Sequence, residues 1–264
     1  MSPSVLGETE IVAVLQSLPE HRRQVVLIHS SLSACGKIRG GAPSVVRALR
    51  EWTGQGTLAM PTHTYCYPDP LGVAEVFDPS VTRSRVGAVT EAFWREAGVL
   101  RSRHPTHSLA AVGPAARGLV TGHELTDTPC GAGTPYERLV QADAGVLMFG
   151  VTLNSYTLFH TAEALASVPY LYFPQPVTLR EQRPEGGIRI LNMRRQDMGV
   201  ARRFEGMDSW LEERGLLHRV RCGEGSLLWL PHARAVHEAL MDALRDNPWL
   251  LVDNSPRTPR LARG

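Results

Sequence analysis

Two short apolar runs joined through a glycine-rich loop and a helix leave this chain few folds to choose from. The first run, QVVLIHSSL (24–32), is β-branched and unbroken by charge, the pattern of a strand buried on both faces. The loop SACGKIRGG (33–41) follows, and then APSVVRALREW (42–52), an amphipathic helix that tolerates Pro43 in its first turn. The second run, GTLAMPTHTY (56–65), is another buried strand, ended by Pro61. Strand, loop, helix and strand within about forty residues make a βαβ unit, which requires an α/β fold with a partly parallel sheet.

The rest of the sequence extends that frame. Residues 9–18 have helical spacing at Ile11, Val14, Leu15 and Leu18, with Thr9 as the expected N-cap. The stretch 66–85 is rich in proline and turn formers and reads as a long surface loop beside a site. Helices are expected over 84–98, 115–123, from Thr134-Pro135 onward, and over 154–166; strands are expected at 109–112 and in GVLMFGV (145–151). Beyond about residue 170 the chain is strand-like and arginine-rich, with a turn at Glu185-Gly186-Gly187 and helical patterns near 208–215 and 232–246. No repeat or low-complexity tract divides it. The expectation is one domain over 1–264, with its core in 24–170 and a less regular portion over 171–264.

A chain of 264 residues, 43% hydrophobic and 20% charged, can bury a core without disulfides or metal. Cys35, Cys66, Cys130 and Cys222 are widely spaced and form no CxxC pair, which speaks against a zinc module and suits a reducing compartment. The first residues lack the basic region of a secretory leader, and no run reaches the ~20 apolar residues of a membrane span. A cytoplasmic protein, monomer or homodimer, is expected. Net charge is +2, and Lys37 is the only lysine, so neither a nucleic-acid footprint nor a membrane-binding patch is expected.

Three places can carry chemistry. The loop 33–41 stands between a buried strand and a helix, so its backbone N–H groups and the helix dipole suit a phosphate, with Lys37 and Arg39 adding charge. Its spacing matches neither a dinucleotide fingerprint nor a P-loop, and glycines that merely allow positive φ would look the same. In the helix NSYTLFHTAE (154–163), His160 and Glu163 share one face, so a carboxylate can orient an imidazole that titrates near neutrality. Around His104, His107 and Ser108, with His63 elsewhere, no compact ligand spacing supports a metal. Cys35, close to Lys37, could serve as a nucleophile, but an inert buried thiol is the expected reading.

Several motifs stand in a fixed order: His29-Ser30-Ser31-Leu32, Gly36 to Gly40-Gly41, and Gly56-Thr57-Leu58 with Met60-Pro61-Thr62. Phe77-Asp78-Pro79, Gly87 and Arg101-Ser102-x-His104-Pro105-x-x-Ser108 come next, then Gly131 to Thr134-Pro135-Tyr136 and His160-x-Ala162-Glu163. Over about 24–170, and more faintly to Asn247-Pro248, this resembles the aminoglycoside 3-N-acetyltransferase family, whose members use acetyl-CoA. The resemblance implies a single α/β domain with a central mixed sheet flanked by helices, acetyl-CoA as co-substrate and no metal.

It also implies that Ser31, Leu32, Ser33, Lys37, Ile38, Gly40 and Gly41 line the pantetheine and pyrophosphate of CoA, with His104 and Ser108 along the same channel. His160 would be the catalytic base of a direct transfer, and Glu163 would hold it or bind a second amine. Thr62, His63, Tyr65 and Asp69 would face the acceptor. The loop 64–78 carries only Asp69, Glu75 and Asp78, few carboxylates for a polycationic aminoglycoside. Other readings stay open at this stage: an amine from natural-product biosynthesis, a longer acyl-CoA or an acyl carrier protein as donor, a CoA thioester hydrolase, or a CoA-binding protein without turnover.

Overall fold

The computed structural model describes residues 5–253; the first residues of the segment weighed as a leader, 1–4, lie outside it, as do 254–264. Helix α1 (Glu8–Gln16) begins earlier than expected: the Glu10 carboxylate accepts from the Gly7 backbone N–H at 3.0 Å, so Gly7 is the N-cap and Thr9 lies inside the helix. Strand β1 (Val25–Ser30), helix α2 (Gly41–Thr53) and strand β2 (Thr57–Pro61) form the expected βαβ unit. Then follow β3 (Val76–Phe77), α3 (Ala88–Trp94), β4 (Leu100–Arg101), β5 (Leu109–Val112), α4 (Ala116–Val120), α5 (Pro135–Gln141) and β6 (Gly145–Phe149). Thr134 caps α5 by accepting from the Glu137 N–H. After α6 (Leu158–Leu165) come β7 (Val177–Gln182), β8 (Ile188–Met193), α7 (Met207–Glu212), β9 (His218–Cys222), β10 (Gly225–Leu230) and α8 (Ala233–Asp246).

The main sheet has seven strands in the order β4-β5-β2-β1-β6-β10-β9. Its centre is parallel, β1 pairing with both β2 and β6, and its flanks are antiparallel. Alternation along the strands sorts their side chains to two faces. Val26, Ile28, Leu58, Met60, Leu147 and Phe149 pack with α1, α2 and α3, whereas Val25, Leu27, Ala59, Val146 and Met148 pack with α4, α5, α6 and α8. The result is the mixed α/β architecture expected from the sequence, in three layers. Strands β3, β7 and β8 make a separate small sheet. Among the described residues no helix is long and apolar enough to cross a membrane.

The boundary drawn at residue 170 is not an edge of the sheet. Strand β10 pairs with β6 from Leu227↔Phe149 to Leu230↔Val146, and Trp229 on it is fully buried. The β9–β10 hairpin also supports the loop after β1, where the Glu224 N–H donates to the Cys35 carbonyl at 3.3 Å. A Cβ on Gly225 would collide with the Ala34 carbonyl, a backbone atom with little room to yield. Gly225→Ala is therefore expected to cost about 1–3 kcal/mol through overpacking; an unchanged thermal melt would mean that hairpin and loop are not in firm contact.

Candidate active site

Strand β1 has parallel neighbours on both sides, reached by connections that leave in opposite directions. In open parallel sheets the carboxyl ends of such strands diverge around a crevice where ligands bind. A cleft of about 220 Å³ lies at that point. Its walls include His29 and Ser30 from the end of β1, Pro61 and His63 from the end of β2, Val151 just after β6, and His160 from α6. A second, shallower groove lies beside it, lined by Ser31, Leu32, Ser33, Gly36, Ile38 and Gly41. Ser30 and Val86 belong to both cavities, so the groove leads into the cleft. Helix α2 starts at Gly41, which puts the positive end of its dipole at the groove.

The expected single helix over 154–166 is broken in two. A 3₁₀ turn at Leu153–Ser155 is followed by an extended Tyr156, and α6 starts only at Leu158. His160 therefore sits in the first turn of α6, at the cleft. Its Nδ1 donates to Glu163 Oε2 at 2.6 Å. A carboxylate only accepts, so this bond fixes the tautomer and leaves the Nε2 lone pair on a ring that lines the cleft. Glu163 is wholly buried, and its other oxygen accepts from Arg202 Nε at 3.3 Å. Arg202 is tied in turn to the carbonyls of Asp197 and Val200.

The opposite wall is built of uncharged histidines. Burial pushes His29 and His107 down to about 3, and burial with neighbouring imidazoles takes His63 well below its ordinary value. Hydrogen bonds agree with neutral rings. Tyr136 OH donates to the His107 carbonyl at 3.2 Å, so its oxygen accepts from His63 Nε2 at 2.8 Å. His104 Nδ1 accepts from the N–H groups of Thr106 and His107, which an imidazolium could not do. Among the described residues no group of three or more His, Cys, Asp or Glu is placed to hold a metal ion.

A family model described as aminoglycoside 3-N-acetyltransferase matches residues 27–244. The chain belongs to the aminoglycoside 3-N-acetyltransferase family. Among its relatives, aminoglycoside N(3)-acetyltransferase IX of Micromonospora chalcea is 35% identical over 178 residues, 60% of this chain and 63% of its own length. Aminoglycoside N(3)-acetyltransferase VIII of Streptomyces fradiae is 35% identical over 196 residues, 66% of this chain and 67% of its own. The match thus spans just under two thirds of the first of these relatives. Among solved structures, the apoenzyme of aminoglycoside acetyltransferase AAC(3)-IVa superposes with a TM-score of 0.80 at 26% identity, over 95% of this chain and 92% of that one. AAC-IIIb, solved as a binary complex with CoASH, gives 0.81 at 25% identity, over 92% and 97%.

Within this acetyltransferase fold the residues singled out from the sequence separate into two sets. Ser31, Leu32, Ser33, Ile38 and Gly41 line the groove; Lys37 and Gly40 stand exposed in the same loop but outside the lining. His63, Tyr65 and His160 line the cleft. His104 and Ser108 line neither cavity, a correction to their expected place along the cofactor channel. Ser108 is wholly buried, its Oγ donating to the Thr62 carbonyl at 2.7 Å and accepting from Arg101 Nε at 3.2 Å. Thr62 shares that latch between β2 and β5 and does not reach the cleft. Asp69 lies in the surface loop, where its carboxylate accepts from the Leu71 and Val73 N–H groups, so it does not face the cleft either. Since Glu163 is buried, it holds His160 and has no surface left for a second amine.

Sequence reasoning missed Arg202 and Gln196, and although it met His29 in a motif and Tyr156 four residues before His160, it gave neither a place in the site. Arg202 is 39 residues from the carboxylate it meets. Removing one partner of a buried ion pair strands the other, so Arg202→Met should destabilise the protein by about 3 kcal/mol. A chemical-denaturation midpoint unchanged by this replacement would show that Glu163 needs no cation.

Proposed function

We propose that this protein transfers an acetyl group from acetyl-CoA to a primary amine of an aminoglycoside-like or other small-molecule acceptor. The observation that carries the reading is the join between the two cavities. The loop 31–41 and the start of α2 form an anion-favouring groove that opens at Ser30 and Val86 onto the cleft where His160 stands, its Nδ1 engaged and Nε2 available. Relatives supply the substrates by their own descriptions: AAC-IIIb with CoASH, and a histidine-to-alanine variant of AAC(3)-IVa with apramycin, the latter with a TM-score of 0.78 at 26% identity over 94% of this chain and 96% of that one.

In this reading Ser31, Leu32, Ser33, Ile38 and Gly41 contact the phosphopantetheine and pyrophosphate, with Lys37 and the α2 dipole offsetting phosphate charge. His160 Nε2 takes a proton from the bound ammonium. The freed amine attacks the thioester carbonyl, and its C–N bond forms as the C–S bond breaks. The imidazolium of His160 gives that proton to the departing CoA thiolate, and the neutral Nε2 then takes the remaining amine proton and passes it to solvent. Holding both substrates in one crevice makes this a direct transfer without an acyl-enzyme. Cys35 is wholly buried, and its hydrogen bond with Cys222, together with burial, raises its thiol, which disfavours a thiolate intermediate. Four buried thiols suit a cytoplasmic setting.

The test is release of CoA thiol from acetyl-CoA with a panel of amines. Amine-dependent release supports transfer. Release at the same rate without any amine would replace this reading with thioester hydrolysis.

A further inference from the structure

Among the described residues no carboxylate lines the cleft. Its lining is histidine, tyrosine, serine, threonine, asparagine, glutamine, proline, valine and methionine, and the three histidines opposite His160 are neutral. The carboxylate nearest in sequence to the lining, Asp197, accepts from the Gly199 N–H at 2.8 Å and is not part of the wall. Glu205 holds Thr152, and Glu75 is paired with Arg85.

What the wall does offer is unused hydrogen-bonding capacity. Gln196 is 1% exposed, and among the described residues neither its Oε1 nor its Nε2 has a partner. Its backbone is held by the bridge between Tyr172 and Gln196, flanked by the Asp197 N–H bond to the Leu171 carbonyl. Tyr156 OH, also 1% exposed, is likewise unpartnered, and so is His29 Nε2. A buried amide or hydroxyl left unsatisfied costs about 1–3 kcal/mol. Several such groups lining one small cleft mark positions that a ligand completes.

We infer that the acceptor pocket recognises a one-ring, hydroxyl-bearing molecule with a single amine through neutral hydrogen bonds from Gln196 and Tyr156, and discriminates against polycations. This rests on the acetyl-transfer reading only in treating the cleft as the acceptor side. The cleft of about 220 Å³ falls below the ~300–1,000 Å³ of sites for drug-sized ligands, which suits one sugar-sized ring. A polycation would need counter-charges, and none of the described residues lining the cleft carries a negative charge. Gln196 is thus a specificity-determining residue, offering one acceptor and two donors to ring hydroxyls.

The experiment is a ligand-observed NMR titration of the full chain with CoA present, using glucosamine as the single-amine probe and neamine as the polyamine. It reads binding without turnover, so thiol release reports separately on whether acetyl transfer occurs. Glucosamine affinity should change less than about twofold between roughly 0.05 and 0.5 M KCl, because no ion pair is screened. Gln196→Leu should weaken it by about three- to tenfold, the loss of neutral hydrogen bonds. The same replacement should leave the melting temperature of the free protein unchanged or raised, since it removes an unsatisfied buried amide; a purely structural glutamine would lower it. Neamine binding more than about tenfold tighter and collapsing with salt would overturn the inference. So would failure of glucosamine to bind, or indifference of its binding to Gln196→Leu.

Discussion

Replacing His160 with alanine should lower kcat by roughly 10²–10⁴-fold, the range for loss of a positioned general base. The ring lies in the first turn of α6, held by Glu163 at 2.6 Å, so its deletion removes the proton acceptor without touching the groove at 31–41. CoA binding by calorimetry should therefore survive while turnover falls. Glu163→Gln provides a second diagnostic. An amide in place of the carboxylate can no longer stabilise the imidazolium that forms in each cycle, so the acid limb of the pH–rate profile should shift while KM for acetyl-CoA stays nearly constant. If His160→Ala keeps near-full turnover, proton transfer belongs to another group and the assignment fails.

The second large effect is acid lability. His29, His107 and His123 are each held neutral by burial at about 3, against about 6.5 in an unfolded chain. These folded values are depressed, so between roughly pH 6.5 and pH 3 the unfolded chain binds protons that the native protein refuses. Their contribution to stability is complete above about 6.5 and is lost as pH falls through that window. Each ring contributes up to about 1.4 kcal/mol per pH unit, and the three together up to about 4. His232 acts in the opposite sense: hydrogen bonds to Asp143 and Glu20 raise it, so it stabilises at low pH and ceases to do so as pH rises. It is largely solvated and cannot balance three buried rings. Urea midpoints should therefore drop steeply from pH 7 to pH 5. A flat profile would mean that the rings stay hydrated in the native state.

The part of the fold legible in the sequence is the part fixed by local pattern. The runs 24–32, 56–65 and 145–151 are apolar because both sheet faces are covered, and each contains a central parallel strand. His160 and Glu163 are visible because three residues on a helix bring side chains together whatever surrounds them. Burial is not visible. His104 and Ser108 stand within a family-like motif, yet a motif does not reveal whether a serine lines a channel or ties two strands together, and here Ser108 does the latter. The helix over 154–166 reads as continuous because its apolar spacing runs through Tyr156, where the backbone is in fact extended. Arg202 and Gln196 gain their meaning only from long-range contacts that periodicity does not encode.

One consequence concerns the order in which the polypeptide leaves the ribosome. Every residue that lines the cleft or the groove has emerged by Met198, yet the turn after β1 leans on Gly223 and Gly225, and Glu163 awaits Arg202. A nascent or truncated chain ending before the last hairpin would carry every residue of the two cavities and still lack the scaffold that aligns them. Activity should therefore appear abruptly, at the length where the final antiparallel pair can dock, and not in proportion to the side chains already made.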